Sequence, residues 1–236
     1  MTPRDRILDA AMTVFRRHGF RRSSIEQAAE AAGLTRQALY HHFKSKEALF
    51  RAVLERLHES ALAAGIAAAN AKEQEGGSLA DILMAQITAR FSLLIASLDG
   101  SPHIEELFSE HLVHAGDLYQ KYAGRYAEQG VATIERVRRK QKLALAISSP
   151  ELARCVEMAI NGSKSMHPKM QPVDAFFRDL DTMLRTLLAG AIGLSPKPST
   201  AKPRSAKKSS PKSPSSPRRY SSPKRLSSPK RSGDRK

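Results

Sequence analysis

An all-α fold follows from three features of the sequence. Apolar residues make up 41% of the 236 positions, yet aromatics make up only 6% and Trp is absent, so the core must be built mainly from aliphatic side chains. Ala and Leu, both strong helix formers, are abundant, while runs of β-branched residues that would favour strands are scarce. Apolar positions also recur at helical spacing in successive segments that begin with Ser, Thr or Pro.

The first such segment, PRDRILDAAMTVFRRHGF, aligns Ile7, Leu8, Ala11, Val14 and Phe15 on one stripe. Pro3 suits a first helical turn, and Arg16, Arg17 and His18 suit the negative end of the helix dipole. Gly19 followed by Phe20 reads as a C-terminal glycine with a hydrophobic clamp.

Next comes SSIEQAAEAAGLTRQALYHHFKSKEAL. Ser24 with Gln27, or Ser23 with Glu26 one step earlier, has capping-box spacing. Ile25, Ala28, Ala29 and Ala32 give a short helix a stripe of small residues, and Gly33 ends it where a positive φ is cheap for glycine. Thr35 can cap a third helix two residues later. Two short helices held close by alanines around a tight glycine turn predict a helix-turn-helix over about 25–44.

Projected at about 100° per residue, the third helix over 36–43 places Arg36, Gln37, Tyr40, His41 and Lys44 on one arc and Ala38, Leu39, His42 and Phe43 on the opposite one. The first face offers hydrogen-bond donors, as a helix entering a major groove requires. Arg36 and Gln37, nearest the helix N-terminus, are placed to read base edges, Arg favouring guanine and Gln adenine. Tyr40 and His41 suit a phosphate or a thymine methyl, with Lys44 on the same face. Ser24, Thr35 and Lys46 suit contacts to the DNA backbone, and His42 is expected to be structural. Ser45 caps a fourth helix through Leu49, Phe50, Val53, Leu54 and Leu57 to about residue 71, with Lys46 at its phosphate-attracting start.

The run 23–49, with its Gly33-Leu34-Thr35 turn, its Leu39-Tyr40-His41-His42-Phe43 stretch and its Lys44-Ser45-Lys46-Glu47-Ala48-Leu49 junction, resembles the DNA-binding domain of the tetracycline-repressor (TetR) family. The likeness covers about 2–62. Ala28 departs from it, since the family usually carries a larger aliphatic residue there. The resemblance implies a homodimer on a palindromic operator in double-stranded DNA, helices four to nine forming an effector domain, and repression relieved by a small molecule. The expected organisation is therefore a DNA-binding domain over 1–50, a helical effector and dimerisation domain over 51–194, and a tail over 195–236.

In the middle region LADILMAQITARFSLLIASL reads as the fifth helix, and SEHLVHAGDLYQKYAGRYAEQGVATIERVRRKQKLALAI as a long helix broken near Gly116, Gly124 or Gly130. Candidate effector-pocket residues are Phe91, Leu94 and Ile95 on the fifth helix with Leu112, Tyr119, Tyr122 and Tyr126 on the seventh, the tyrosines sharing a face at i, i+3 and i+7. The last two helices carry Leu152 and Val156, then Phe176, Leu180, Leu184, Leu187 and Leu188. By the resemblance these pair with their copies in a second subunit, although part of the stripe would serve as protomer core in any case.

The net charge of +16 is carried by the ends. Residues 1–51 hold ten Lys/Arg against five Asp/Glu, 52–194 hold fifteen against seventeen, and 195–236 hold fourteen against one. Basic ends suggest a polyanionic partner. The tail, rich in Ser, Pro, Lys and Arg, is expected to be disordered. It contains the tandem hexads SSPKSP, SSPRRY, SSPKRL and SSPKRS over 209–232, three of which hold Ser-Pro followed by two cations and resemble the minor-groove-binding turns of histone tails. The alternative is a solubilising tail.

Catalysis finds little support. No Gly-rich phosphate loop, HExxH or GxSxG occurs, and the single Cys155 lies on an apolar stripe as a structural cysteine would. One cysteine allows no intramolecular disulfide and no cysteine metal cluster. His111 and His114, with His103, Glu106 and Glu110 nearby, suggest a metal only weakly, because a zinc site needs three or four converging ligands. No cofactor, no metal and no enzyme activity is expected. With a charged N-terminus and no apolar run approaching a membrane span of about 20 residues, the protein is expected to be cytoplasmic and nucleoid-associated, without a membrane partner.

Overall fold

The computed structural model describes residues 2–192, and among these the regular structure is helical. The basic tail at 195–236, with its hexads and its expected disorder, lies outside the described residues. The helices are α1 (Pro3–Arg22), α2 (Ile25–Ala31), α3 (Arg36–His42), α4 (Lys46–Gln74), α5 (Leu79–Leu98), α6 (Ile104–Gln141), α7 (Ser149–Met166) and α8 (Val173–Ala191).

Local chemistry sets the boundaries of the first four. Thr2, Ser24, Thr35 and Ser45 each accept a backbone N–H from three residues on, so orphan donors at the four N-termini are satisfied by side chains. Ser24 and Gln27 form the reciprocal capping box, while Ser23 turns back to donate to the Phe20 carbonyl at 2.7 Å. Gly19 (φ 75°) breaks α1 before its final turn and Gly33 (φ 68°) turns the chain between α2 and α3. Gly19 is constrained twice: besides its left-handed φ, a Cβ there would stand 2.5 Å from a carboxylate oxygen of Glu106.

Two apolar cores result. The first joins α1–α4 to the early part of α6, with Leu39, Leu49 and Ala28 buried and the Phe15, Phe20 and Phe50 rings at 4.8 to 5.9 Å between centroids. The small side chain of Ala28 is thus accommodated in a buried site. The second joins α4 to α5–α8. Because Leu107, Leu118 and Tyr122 of α6 belong to the first core, the N-terminal unit does not close on itself at residue 50, and the described residues form one compact unit.

Three expectations need correction here. The sixth and seventh helices of the sequence reading are one helix, α6, kinked at Ala115 (φ −143°, ψ 28°) beside Gly116, whereas Gly124 and Gly130 continue the helix. α6 also ends at Gln141 on a left-handed Lys142, so the LALAI stretch is a connector. α5 does reach the length and apolarity of a membrane span, with mean hydropathy 1.5 over its most apolar stretch. It packs instead against α4, α6 and α8, with Ile82, Leu83, Ile87 and Phe91 buried, which is the arrangement of a core helix.

Leu152, Val156, Phe176, Leu180, Leu184 and Leu188 are buried in the second core of the protomer, and Leu187 is half-buried against it. These seven residues therefore do not form an outward surface. The widest apolar stripe of α8 is consumed by α5 and α7 of its own chain before any partner is met. The large apolar side chains that α7 and α8 turn outward are Met158, Met166 and Met183, among exposed polar residues such as Glu151, Arg154 and Arg185.

Candidate nucleic-acid interface and ligand cavity

α3 is held by its apolar side. Leu39 and Phe43 are buried and Ala38 is half-buried, while Arg36, Gln37, His41 and Lys44 are exposed and Tyr40 is half-exposed. Arg36 Nε donates to Glu26 Oε1 at 2.8 Å and its guanidinium lies 5.4 Å from the centre of the Tyr40 ring. These contacts splay the side chain across the outer surface of α2–α3. The reading of His42 as structural is overturned: His42 is exposed, because α3 ends there and Phe43 leaves the helix in an extended conformation (φ −138°).

Lys46 also departs from its expected role. Its ammonium donates to the carbonyls of Phe20 (2.9 Å), Ser23 (3.1 Å) and Arg21 (3.3 Å) and sits 4.5 Å from the centre of the Phe20 ring. The negative end of α1 presents unsatisfied carbonyls, and a cation reaching them is stabilising. Lys46 thus ties α4 to α1 and is already engaged. Ser24 and Thr35 have their hydroxyls in caps, with Thr35 exposed. Sequence reasoning missed Arg4, whose guanidinium lies 4.7 Å from the Phe43 ring centre, beside the end of α3. Its position in the first turn of α1 gives no local signal of that approach.

Behind this unit, a polar seam fastens α6 to the first four helices. Glu106 accepts the Arg21 backbone N–H at 2.6 Å, and Glu110 accepts Arg21 Nε at 2.7 Å and pairs with His114 Nε2 at 3.0 Å. Arg51 makes a two-pronged pair with Asp117 (2.6 and 2.7 Å) and also donates to the His114 carbonyl. Its hydrogen bonds hold the Asp117 carboxyl down at about 2. Lys121 and Arg125 pair with Glu55 and Glu59 on α4.

The opposite side of the same α6 segment faces a cavity. Two adjoining lobes of about 340 and 400 Å³ share His58, Phe91, Leu94, Tyr119 and Lys164. The larger is apolar, walled by Met12 and Phe15 of α1, Phe50, Leu54 and Leu57 of α4, and Leu107, Phe108 and Leu112 of α6. The smaller carries polar groups: Gln86 and Arg90 of α5, Gln120 and Tyr126 of α6, Glu157 and Asn161 of α7.

Of the seven sequence-predicted pocket residues, Phe91, Leu94 and Tyr119 line both lobes, Leu112 the larger and Tyr126 the smaller. Ile95 lines only a separate recess of about 60 Å³. Tyr122 lines none of these. It is fully buried, its hydroxyl donates to Glu59 Oε1 at 2.6 Å, and its ring stacks on His58 (4.7 Å, 12° between planes). A residue three places on is rotated by about 60° around a helix from the stripe that i and i+7 share, and that turn carries Tyr122 towards α4. Burial and the Glu59 hydrogen bond raise its pKa.

Among the cavity residues not found from sequence, three carry chemistry that the apolar wall does not: His58, Arg90 and Lys164. His58 bonds the Tyr126 hydroxyl through Nδ1 at 3.0 Å while Nε2 has no partner, and burial, with His111 and Arg90 nearby, pushes its pKa down to about 4. Its signal was available: it sits on the buried stripe of α4 four residues after Leu54. Arg90 and Lys164 interrupt otherwise apolar helix faces in the same way. His111 faces this cavity and His114 the seam, so the two do not converge on one point. Among the described residues no group of three His, Cys, Asp or Glu is arranged to hold a metal ion.

A helix-turn-helix whose recognition helix exposes donors, carried on a helical body with an internal cavity, defines the class of one-component DNA-binding regulators. Comparison with known proteins gives the family. Residues 7–53 match the family model "Bacterial regulatory proteins, tetR family". A transcriptional repressor of Mycobacterium tuberculosis is 30% identical over 139 residues, 59% of this chain and 66% of that protein. The regulator TtgR of Pseudomonas putida is 42% identical over 57 residues, 24% of this chain and 27% of that one. The structure of SmeT, the repressor of the Stenotrophomonas maltophilia multidrug efflux pump SmeDEF, aligns with a TM-score of 0.56 at 24% identity, over 80% of this chain and 90% of that chain. This chain thus spans just under two thirds of the mycobacterial relative and about a quarter of TtgR. It belongs to the TetR family.

Proposed function

We propose that this protein is a transcriptional repressor that binds a palindromic operator in double-stranded DNA as a homodimer and is released by a small molecule held in the two-lobed cavity. The observation that carries the reading is the division of α3, with Leu39 and Phe43 buried and Arg36, Gln37, His41 and Lys44 exposed. Arg36 and Gln37 read base edges, Tyr40, His41 and Lys44 support them from the same face, and Ser24 and Thr35 lie at helix N-termini where backbone amides favour phosphate. Arg4 and His42 join this surface. The basic tail over 195–236 acts as an electrostatic arm whose contribution does not depend on sequence. Such a regulator works in the cytoplasm, on the nucleoid.

Two recognition helices must stand about one turn of DNA apart. We assign the dimer contact to the outward side of α7 and α8, where Met158, Met166 and Met183 are exposed. The segment of α6 before Ala115 then couples ligand to DNA. Leu107, Phe108 and Leu112 touch the cavity, while Glu106 and Glu110 hold Arg21. A ligand that fits only a shifted α6 moves the recognition helices out of register, with a coupling of about 1–3 kcal/mol, set by its difference in affinity for the two states.

Genomic footprinting tests the reading. The expected result is protection of a few two-fold symmetric sites, with the Arg36→Ala/Gln37→Ala variant losing preference for them while keeping salt-sensitive binding to unrelated DNA. Broad coating of DNA by the native protein would instead make it a chromosome-organising protein dominated by its tail.

A further inference from the structure

Where the smaller lobe meets the larger one, the cavity wall carries two cations outside any ion pair among the described residues, a third, Lys169 of the larger lobe, being tied to Glu105. Arg90 enters from α5 and Lys164 from α7, both deep in the body and only partly exposed, since they line the cavity. Both stand over the Phe91 ring, the guanidinium at 4.4 Å and the ammonium at 4.9 Å from its centre, and Arg90 lies 4.4 Å from the centre of the Tyr126 ring as well. Neither belongs to an ion pair among the described residues, and Arg90 Nε is buried without a hydrogen-bond partner. Burial depresses both groups, Arg90 to about 10 and Lys164 to about 8.

Desolvated cations resting on aromatic rings are only partly compensated, and a protein tolerates them where a ligand completes the site. Glu157 is the carboxylate in this lobe, and the histidines at its border, His58 and His111, are both held towards their neutral forms by burial. One formal positive charge is therefore left over. Immediately beyond Lys164 and Phe91 the wall turns apolar, with Leu54, Leu57, Leu107 and Phe108.

Resting on the reading of this cavity as an effector site, we propose that its ligand is an amphipathic monoanion: an apolar body that fills the lobe against α1 and α4, ending in a carboxylate that Arg90 and Lys164 bind beside Phe91. The positive lobe selects against cationic amphiphiles, and the apolar lobe selects against small hydrophilic acids. An aliphatic and an aromatic body leave the head-group chemistry the same.

Calorimetric titration of the delipidated full-length protein tests this, with dodecanoate, dodecanol and dodecylammonium as one series and biphenyl carboxylate with biphenyl methanol as another. In at least one series the carboxylate should bind about tenfold or more tighter than its neutral counterpart, with the ammonium weakest. The Arg90→Gln/Lys164→Gln variant should bring acid and alcohol to within about twofold while keeping the alcohol affinity, which also reports that the pocket is intact. Should that variant lose the alcohol too, Lys164→Met alone provides the same comparison. The proposal is overturned if both carboxylates bind no better than their alcohols, or if the ammonium binds as tightly as the acid. Operator binding by ligand-free protein is measured separately. Its absence would remove the regulator reading and leave the anion site standing, whereas tight operator binding with no preference for acids would do the reverse.

Discussion

The N-terminal unit and the helical body obey different rules. In the first, every helix start is capped by a Ser or Thr and the aromatic side chains pack on one another. In the body, α5 and α7 are capped as well, by Ser78 and Ser148, but α6 and α8 begin at His103 and Pro172 without a side-chain cap. A cavity lies between the body and α1 and α4, and two cations of the body stand beside it outside any ion pair among the described residues. Local preference and global packing agree in the N-terminal unit, and part company around the cavity.

The largest expected effect breaks the N-terminal side. Leu39 is fully buried where α3 meets the first core, and Leu39→Ala should cost about 2–5 kcal/mol, with loss of operator binding. Leu112 is 62% exposed at the cavity, so Leu112→Ala should change stability by no more than about 0.5 kcal/mol. Urea denaturation of the two variants decides it; equal losses would mean that the cavity wall is as tightly built as the DNA-binding core.

A second effect is confined to the body and to acid pH. His58 is neutral when folded, with its pKa lowered from 6.5 to about 4, first by burial and then by the charges of His111 and Arg90. Above pH 6.5 it is neutral in both states and the native protein keeps its full stability. As pH falls from 6.5 towards 4 the unfolded chain takes up a proton that the folded one refuses, and stability drops by about 1–3 kcal/mol. In His58→Gln that part of the acid slope should vanish from melting curves recorded across the interval. An unchanged slope would place the titration elsewhere, for instance on His111.

The legibility of the sequence follows the same division. Caps, the Gly33 turn and the stripe through Leu39 are written in neighbouring residues, so the helix-turn-helix could be read with its face assigned. His42 was misjudged because projecting it as helical ignores that α3 stops at that residue. Lys46 was misjudged because its partners are the Phe20, Arg21 and Ser23 carbonyls at the end of another helix. In the body, periodicity showed that Tyr122, Leu180 and Leu184 lie on apolar stripes. It could not say which neighbour each stripe would meet, and all three went to the protomer's own cores. Polar residues interrupting such a stripe, His58, Arg90 and Lys164, carried the readable sign of a cavity.

The smallest effect has the opposite sign. Lys164 keeps a charge in a site that lowers its pKa from 10.5 to about 8, chiefly through burial and secondly through the charge of Arg90. Below pH 8 it is protonated in both states, so the folded protein bears the full cost of an incompletely solvated ammonium. Between pH 8 and 10.5 the folded form sheds the proton first and the penalty fades. Lys164→Met, which keeps the length and removes the charge, should therefore be more stable than the native protein at neutral pH by ~1 kcal/mol, a rise of about 2–4 °C in melting temperature. That gap should close as the pH is raised through the same interval. A gain of stability on removing a cavity residue is what a group retained for binding predicts, because its interactions in the ligand-free protein are incomplete. A loss of stability, or a gap that does not narrow in alkali, would mean that Lys164 is already satisfied within the fold, and the contrast between a packed DNA-binding unit and a body left open for a ligand would lose its chemical half.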